Sequence, residues 1–403
     1  MKKILLWLFG GSLVLVLGLF IGGTSWIKIQ LTPQRIVAEI EKRTKARAQL
    51  GSVELSSLLT QPTSLVIRDL KLAPADAECS KPLPLRTPMP ERAALISIPQ
   101  ARLELDLGSL ASGHAVVPLI DIQNPTVRTE ISKEGEDPLL LLLGVVKKFE
   151  DTTAQKALPA EPAPPSEAPQ QFTVKKLRVN QAQLHVVNRQ TKTKTNLQDF
   201  QLELSDLSSS SPQPATLILE SKLHITGRAR LSPESEPVEV NYFKGPLNLN
   251  SKLNLVLEAN RYQPIIEGTV SLDKDSVLLG YAQLSSLMSK SVSKYVPGVD
   301  QLKLGGSLQE ACMADFKYQA QRLDLRQTTK LVLPDYELHL EAGSWLNSAS
   351  KTHELKMKGC VPMALLGPMG ALVPEDKKDA KGRFVIPFTR EGSLDKPKTK
   401  LGL

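Results

Sequence analysis

Aromatic side chains are scarce in this sequence, at 4% of 403 residues. Lys and Arg are dispersed among acids. Both features argue against nucleic-acid binding, which combines a concentrated basic face with stacking groups. The formal charge of +8 therefore names no partner by itself. Cysteine is equally sparse. Cys79, Cys312 and Cys360 are far apart and lack C-x-x-C spacing, which excludes a disulfide framework and a standard zinc cluster. They read as three unrelated thiols; a Cys312–Cys360 bridge with Cys79 left free is the alternative in an oxidising space.

Motifs that carry chemistry are missing as well. His185, His224 and His339 alternate with apolar neighbours, which places them on a polar strand face. His353 precedes Glu354 but has no second histidine at the spacing that sets two metal ligands on one helical face. All are expected to be solvated. Gly305-Gly306-Ser307 is not a nucleophile elbow, and there is no Gly-rich phosphate loop. Asp273 and Asp275 suit a hairpin turn better than acid–base work. No catalytic residue, metal or cofactor is expected. No Asn-x-Ser/Thr sequon occurs, since Pro125 disqualifies Asn124-Pro125-Thr126.

What the sequence does have begins at its first residues. Lys2 and Lys3 precede an apolar run from Ile4 to Gly22, interrupted only by Ser12. At ~1.5 Å per residue the run spans roughly 28 Å, the hydrocarbon thickness of a bilayer. Trp7 and Trp26 lie near its ends, where indole rings favour the interface. Residues 1–30 therefore read as an uncleaved single-pass anchor. A cleaved signal peptide, with Gly23-Thr24-Ser25 as small residues, is the competing reading. The basic start favours the N-terminus inside, although Lys28, Arg35, Lys42 and Arg43 weaken the charge asymmetry.

Residues 31–151 form an α+β region. Thr32 as N-cap and Pro33 at the first helical position open an amphipathic helix of Ile36, Val37 and Ile40 that runs to about residue 47. Period-2 alternation follows in Val53/Leu55, Leu65/Ile67, Leu70/Leu72, Leu103/Leu105/Leu107 and Ile120/Ile122, around a Pro-rich irregular stretch at 74–93. Leu139–Leu143, headed by Asp137, reads as a short helix that is buried, or alternatively interfacial. Residues 152–171, rich in Pro and Ala, form a linker or long loop.

From 172 to 403 the strand pattern restarts as many short strands. Leu177/Val179, Leu184/Val186, Leu202/Leu204, Leu217/Leu219 and Leu223/Ile225 lead on to Phe384/Ile386/Phe388. A helical stripe at 281–295 and a short apolar helix at Met363–Leu372 interrupt them. The expected fold is mainly β: an anchor, then an elongated, twisted antiparallel sheet, groove-like, with a few short helices. One face is aliphatic and the other polar.

That aliphatic stripe is either an ordinary covered core or an open face for lipid chains. Branched aliphatic side chains offer acyl tails dispersion contacts without polar readout. The lipid-facing candidates are Leu247, Leu249, Leu253, Leu255, Leu257, Val270 and Leu272.

Several segments resemble the AsmA-like envelope protein family, the superfamily that includes TamB and YhdP. One is the anchor followed by Leu31-Thr32-Pro33, Ile36-Val37, Leu50-Gly51-Ser52-Val53 and Leu65-Val66-Ile67, with Lys45 where a glycine commonly stands. Others are Leu103–Leu107 with Ile120-Asp121-Ile122-Gln123-Asn124-Pro125, and Phe172–Asn188 with Ala182 in place of a usual glycine. The last is Phe388 through Gly392 to Pro397. The resemblance touches about a third of the chain and rests on the order of these segments. It implies a bacterial inner-membrane protein with its bulk in the periplasm, partnered by membrane and phospholipid and serving outer-membrane lipid homeostasis. The alternative is a non-enzymatic envelope scaffold or assembly factor that binds another protein.

Overall fold

The computed structural model describes residues 32–44, 46–55, 62–106, 108–109, 115–142, 172–209, 213–229, 238–258, 261–278, 306–393 and 397–402. Strands make up 62% of the described residues and helices are few, as expected of a mainly β protein. The anchor at 4–22, the linker at 152–171, the stripe at 281–295 and Leu302/Leu304 lie outside the described residues. Among the described residues no helix is long and apolar enough to cross a membrane. They fall into two compact units. The first comprises those up to Thr191 with Gln201–Ala215 and Leu255–Gln263; the second comprises Lys192–Phe200, Thr216–Asn254 and Pro264–Leu403.

The first unit opens with α1 (Pro33–Thr44). The Arg35 amide donates to the Thr32 hydroxyl at 3.4 Å, the cap that the Thr-Pro pair predicts. Ile36, Val37 and Ile40 are buried along one stripe. The helix stops three residues short of its expected end, because Ala46–Gln49 form β1 and bury Ala46 and Ala48 instead. β2 (Ser52–Leu55), β3 (Thr63–Pro74) and β4 (Ile96–Leu105) follow, then β5 (Ala115–Val117), β6 (Leu119–Gln123) and β7 (Thr126–Ile131). α2 (Pro138–Leu142) is capped by Asp137, which accepts from the Leu139 amide at 3.1 Å and from the Thr129 hydroxyl at 3.0 Å. Leu139 and Leu142 are buried, so the first of the two readings of this helix holds. β8 (Phe172–Asn188) completes the unit's long strands.

β1 and β2 both pair with β3, β3 with β4, and β4 with β6 and β7, all antiparallel. β8 departs from the expected antiparallel plan by pairing parallel to β5, β6 and β7. A parallel partner needs a crossover of a dozen or more residues, and the stretch between Ile131 and Phe172 supplies it.

A crease crosses this unit at one level. Asp69 on β3, Asn124 between β6 and β7, and Gln181 on β8 all have positive φ. Asp69 lies level with Gly51 and Pro99, and Asn124 with Gln181, so the pairing registers run unbroken through the crease. At each strand the buried phase switches parity: Leu65/Ile67 gives way to Leu70/Leu72, and Leu177/Val179 to Ala182/Leu184/Val186. A left-handed residue lets two successive side chains face outward, so the same sheet face stays apolar beyond it. The paired apolar clusters that look like separate short strands in the sequence are therefore halves of single long strands.

The same correction holds further on. β9 (Thr193–Ser208), β10 (Ala215–Ala229), β11 (Val238–Glu258) and β12 (Arg261–Leu272) are 16, 15, 21 and 12 residues long and have residues in both units. The rest of the second unit is finer-grained: β13 (Val277–Leu278), β14 (Gly306–Ser307), β15 (Cys312–Gln319), β16 (Arg322–Leu325), β17 (Thr329–Val332), β18 (Glu337–Leu340), β19 (Trp345–Asn347), β20 (Thr352–Val361), β21 (Phe384–Ser393) and β22 (Pro397–Leu401). β12 pairs with β15, β15 with β16, and β18 and β19 with β20, which continues into β21 and β22. Leu308, Tyr336, Val361, Leu366 and Ile386 build the core of this part. The expected helix at Met363–Leu372 is a run of 3-10 turns broken at Gly367, whose φ is +54°.

Candidate functional site

The seven lipid-facing candidates divide between the units: Leu255 and Leu257 fall in the first, the other five in the second. Within the second unit the cover over the aliphatic face changes from strand to strand. On β9 and β10, Leu197, Phe200, Leu217, Leu219 and Leu223 are sealed, so this part of the stripe is closed core. On β11, Leu249 and Leu253 are still buried but Leu247 is half-buried. On β12 the alternation of burial disappears. Residues 263–272 are all half-buried, including Ile266, Val270 and Leu272. Leu272 also packs against the C-terminal core. In the first unit Leu255 is half-buried and Leu257 is 49% exposed.

Inward-facing polar residues were not foreseen from the sequence, although serine at an apolar phase position is their signal. Ser221 of β10 donates to the Leu247 carbonyl at 3.2 Å, and Ser251 of β11 donates to the Leu217 carbonyl at 3.3 Å. Each hydroxyl reaches the neighbouring strand's backbone, so both are satisfied without a ligand. β12 crosses β11 closely at Gly268, where a Cβ would meet the Asn250 carbonyl oxygen at 2.2 Å and Ser251 Cβ at 2.4 Å. The outward residues carry ion pairs instead, such as Glu267 with Lys317 and Arg326 at 2.9 and 3.0 Å.

The strongest electrostatic feature lies elsewhere. Glu337 of β18 is 4% exposed. It accepts from Arg383 at 2.7 Å, Lys381 at 2.8 Å and His339 at 3.1 Å. Arg383 also reaches Asp379 at 2.6 Å. The Arg383 guanidinium, ahead of the other partners, holds the Glu337 carboxyl far below the usual carboxylate range. Glu337 raises the Arg383 value in return. A carboxylate saturated by cations in this way clamps the 379–383 turn and is a poor general base. Sequence reading missed it because its members lie 44 and 46 residues apart with no periodic signal. In the first unit Arg86 pairs with Glu41 at 2.6 Å and Arg47 with Asp76 at 2.6 Å. These bonds pin the Pro-rich stretch to α1 and β1.

His353 corrects the expectation of solvated histidines. It is buried on β20, where burial, followed by the charge of Arg390, pushes its pKa below the usual histidine value. His185 and His224 are half-buried on the polar phase. Cys79, Cys312 and Cys360 are free thiols, so the Cys312–Cys360 bridge is not formed. The two residues sit on different strands, Cys312 opposite Leu272 and Cys360 opposite Val385. Burial pushes both thiols' pKa values up from the usual cysteine value. Among the described residues no cluster of His, Cys, Asp and Glu could hold a metal ion. Comparison with protein-family models, characterised proteins and solved structures finds no match to this chain.

Proposed function

We propose that this chain is a membrane-anchored periplasmic lipid-handling protein, AsmA-like in kind, that holds phospholipid acyl chains against the inner face of β11 and β12. The sheet would be elongated, twisted and groove-like. The run Ile4–Gly22 would fix it as a single-pass protein of a bacterial inner membrane. Its non-enzymatic task would be outer-membrane lipid homeostasis.

One observation carries this reading: the cover lost between β10 and β12. Leu217 is 1% exposed on β10, whereas Ile266, Val270 and Leu272 on β12 are half-buried. An aliphatic surface left partly open gains from apolar contact at about 25 cal/mol per Å². The inward hydroxyls of Ser221 and Ser251 donate to backbone carbonyls and so are not free to donate to a head group.

A photo-crosslinking residue at Val270, with one at the exposed Lys252 as control, tests the proposal in the full chain extracted from membranes. Phospholipid adducts are expected at 270 and not at 252. A chain free of phospholipid, or adducts at 270 to protein alone, would sink the reading and favour the scaffold alternative.

A further inference from the structure

We infer that the turn Met363–Leu372, between β20 and β21, inserts into the surface of a lipid bilayer. This inference stands apart from the acyl-chain reading of β11 and β12. Met363-Ala364-Leu365-Leu366-Gly367-Pro368-Met369-Gly370-Ala371-Leu372 contains no charged or hydrogen-bonding side chain. Its base is fixed: Leu366 is buried in the C-terminal core, and Met363 and Val373 pack against it. The Val373 amide closes the last turn on the Gly370 carbonyl at 3.3 Å. Beyond that base Ala364, Gly367 and Ala371 are exposed, and Leu372 is 81% exposed. Nothing lies within 4 Å of a Cβ placed on Gly367.

Single exposed leucines are ordinary, but a fixed turn of ten apolar residues ending in one is not. Its composition selects the partner. Protein interfaces centre on Trp, Tyr and Arg anchors with hydrogen-bonding rims, and this turn has none of them. Acyl chains require neither, and an apolar surface segment beside cations is the usual form of interfacial attachment. The cations are present. Lys377 and Lys381 follow Leu372, Lys378 is engaged by Glu375 and Arg383 by Glu337 and Asp379, and residues 363–403 hold eight Lys and Arg against five Asp and Glu. Lys381 remains 65% exposed while it reaches Glu337.

The test uses the full chain with Leu372→Cys in a Cys79→Ser background, labelled with an environment-sensitive fluorophore; Cys312 and Cys360 are buried. A label at Lys351→Cys, in an exposed turn, is the control. The protein is reconstituted into phosphatidylcholine–phosphatidylglycerol vesicles. Brominated acyl chains are placed either in the host bilayer or in added vesicles. A blue shift and quenching at 372, absent at 351, are expected in one arm, and which arm responds identifies the bilayer. A label at 372 that stays water-like and unquenched in both arms overturns the inference, as does a blue shift without quenching in either arm.

Discussion

Gly268 has no room for a methyl group, because the Asn250 carbonyl oxygen occupies the place at 2.2 Å. Gly268→Ala must push β11 and β12 apart and should cost about 1–3 kcal/mol. Urea unfolding checks this as a lower midpoint at an unchanged slope. Glu337 makes a different kind of claim. Its carboxylate is depressed in the folded state, so the stability it contributes is complete above the unfolded value of about 4.3 and is lost as pH falls from there toward its folded value. Glu337→Gln strands Arg383 and Lys381 and should cost about 3 kcal/mol at neutral pH, with the gap to the parent closing below about pH 4. His353 acts in a higher window. Its folded value is lowered, so between that value and about 6.5 the unfolded chain binds the extra proton and stability falls with pH. Replacing it with Gln should flatten that part of the stability–pH curve.

At the scale of elements, the crease shows what the sequence could disclose. Leu65/Ile67 and Leu70/Leu72, or Leu177/Val179 and Leu184/Val186, announce extended chain correctly, and α1 is legible from its cap and stripe. What lies between each pair of clusters is not legible. A parity switch is produced equally well by a turn or by one left-handed residue, and Gln181 is no turn-forming residue. Only the ladder with β6 and β7 shows that the strand continues. β1 was missed for a related reason: Ala46-Arg47-Ala48 reads as helix until pairing with β3 decides otherwise. Exposed Gln181, at φ +52°, bears the cost of its conformation with little packing in return. Gln181→Gly should therefore be neutral or stabilise by up to about 1 kcal/mol. Gln181→Val should cost about 1–2 kcal/mol. If instead the strand breaks there, the two variants will unfold alike.

For the molecule as a whole, the candidate face was legible as chemistry and not as exposure. Alternation finds every apolar row, yet Leu217 and Val270 look alike in sequence, because cover is set by what packs above a strand. Leu272 illustrates the limit: it shares its face with Val270 but also joins the C-terminal core. The difference in cover predicts a split outcome. Leu217, 1% exposed, sits in sealed core, and a carboxylate there finds no partner among Leu and Phe. Leu217→Asp should remove several kcal/mol and leave little folded protein. Val270 is half-buried, so the carboxylate of Val270→Asp can keep part of its water and the cooperative transition should survive. If the half-open row of β12 holds acyl chains against β11, that same substitution should strip co-purifying phospholipid from a folded chain. Phosphate analysis of the purified variant, beside its circular-dichroism melt, separates the outcomes. Unfolding together with Leu217→Asp would make β12 core, and a folded Val270→Asp that retains its lipid would place the lipid elsewhere.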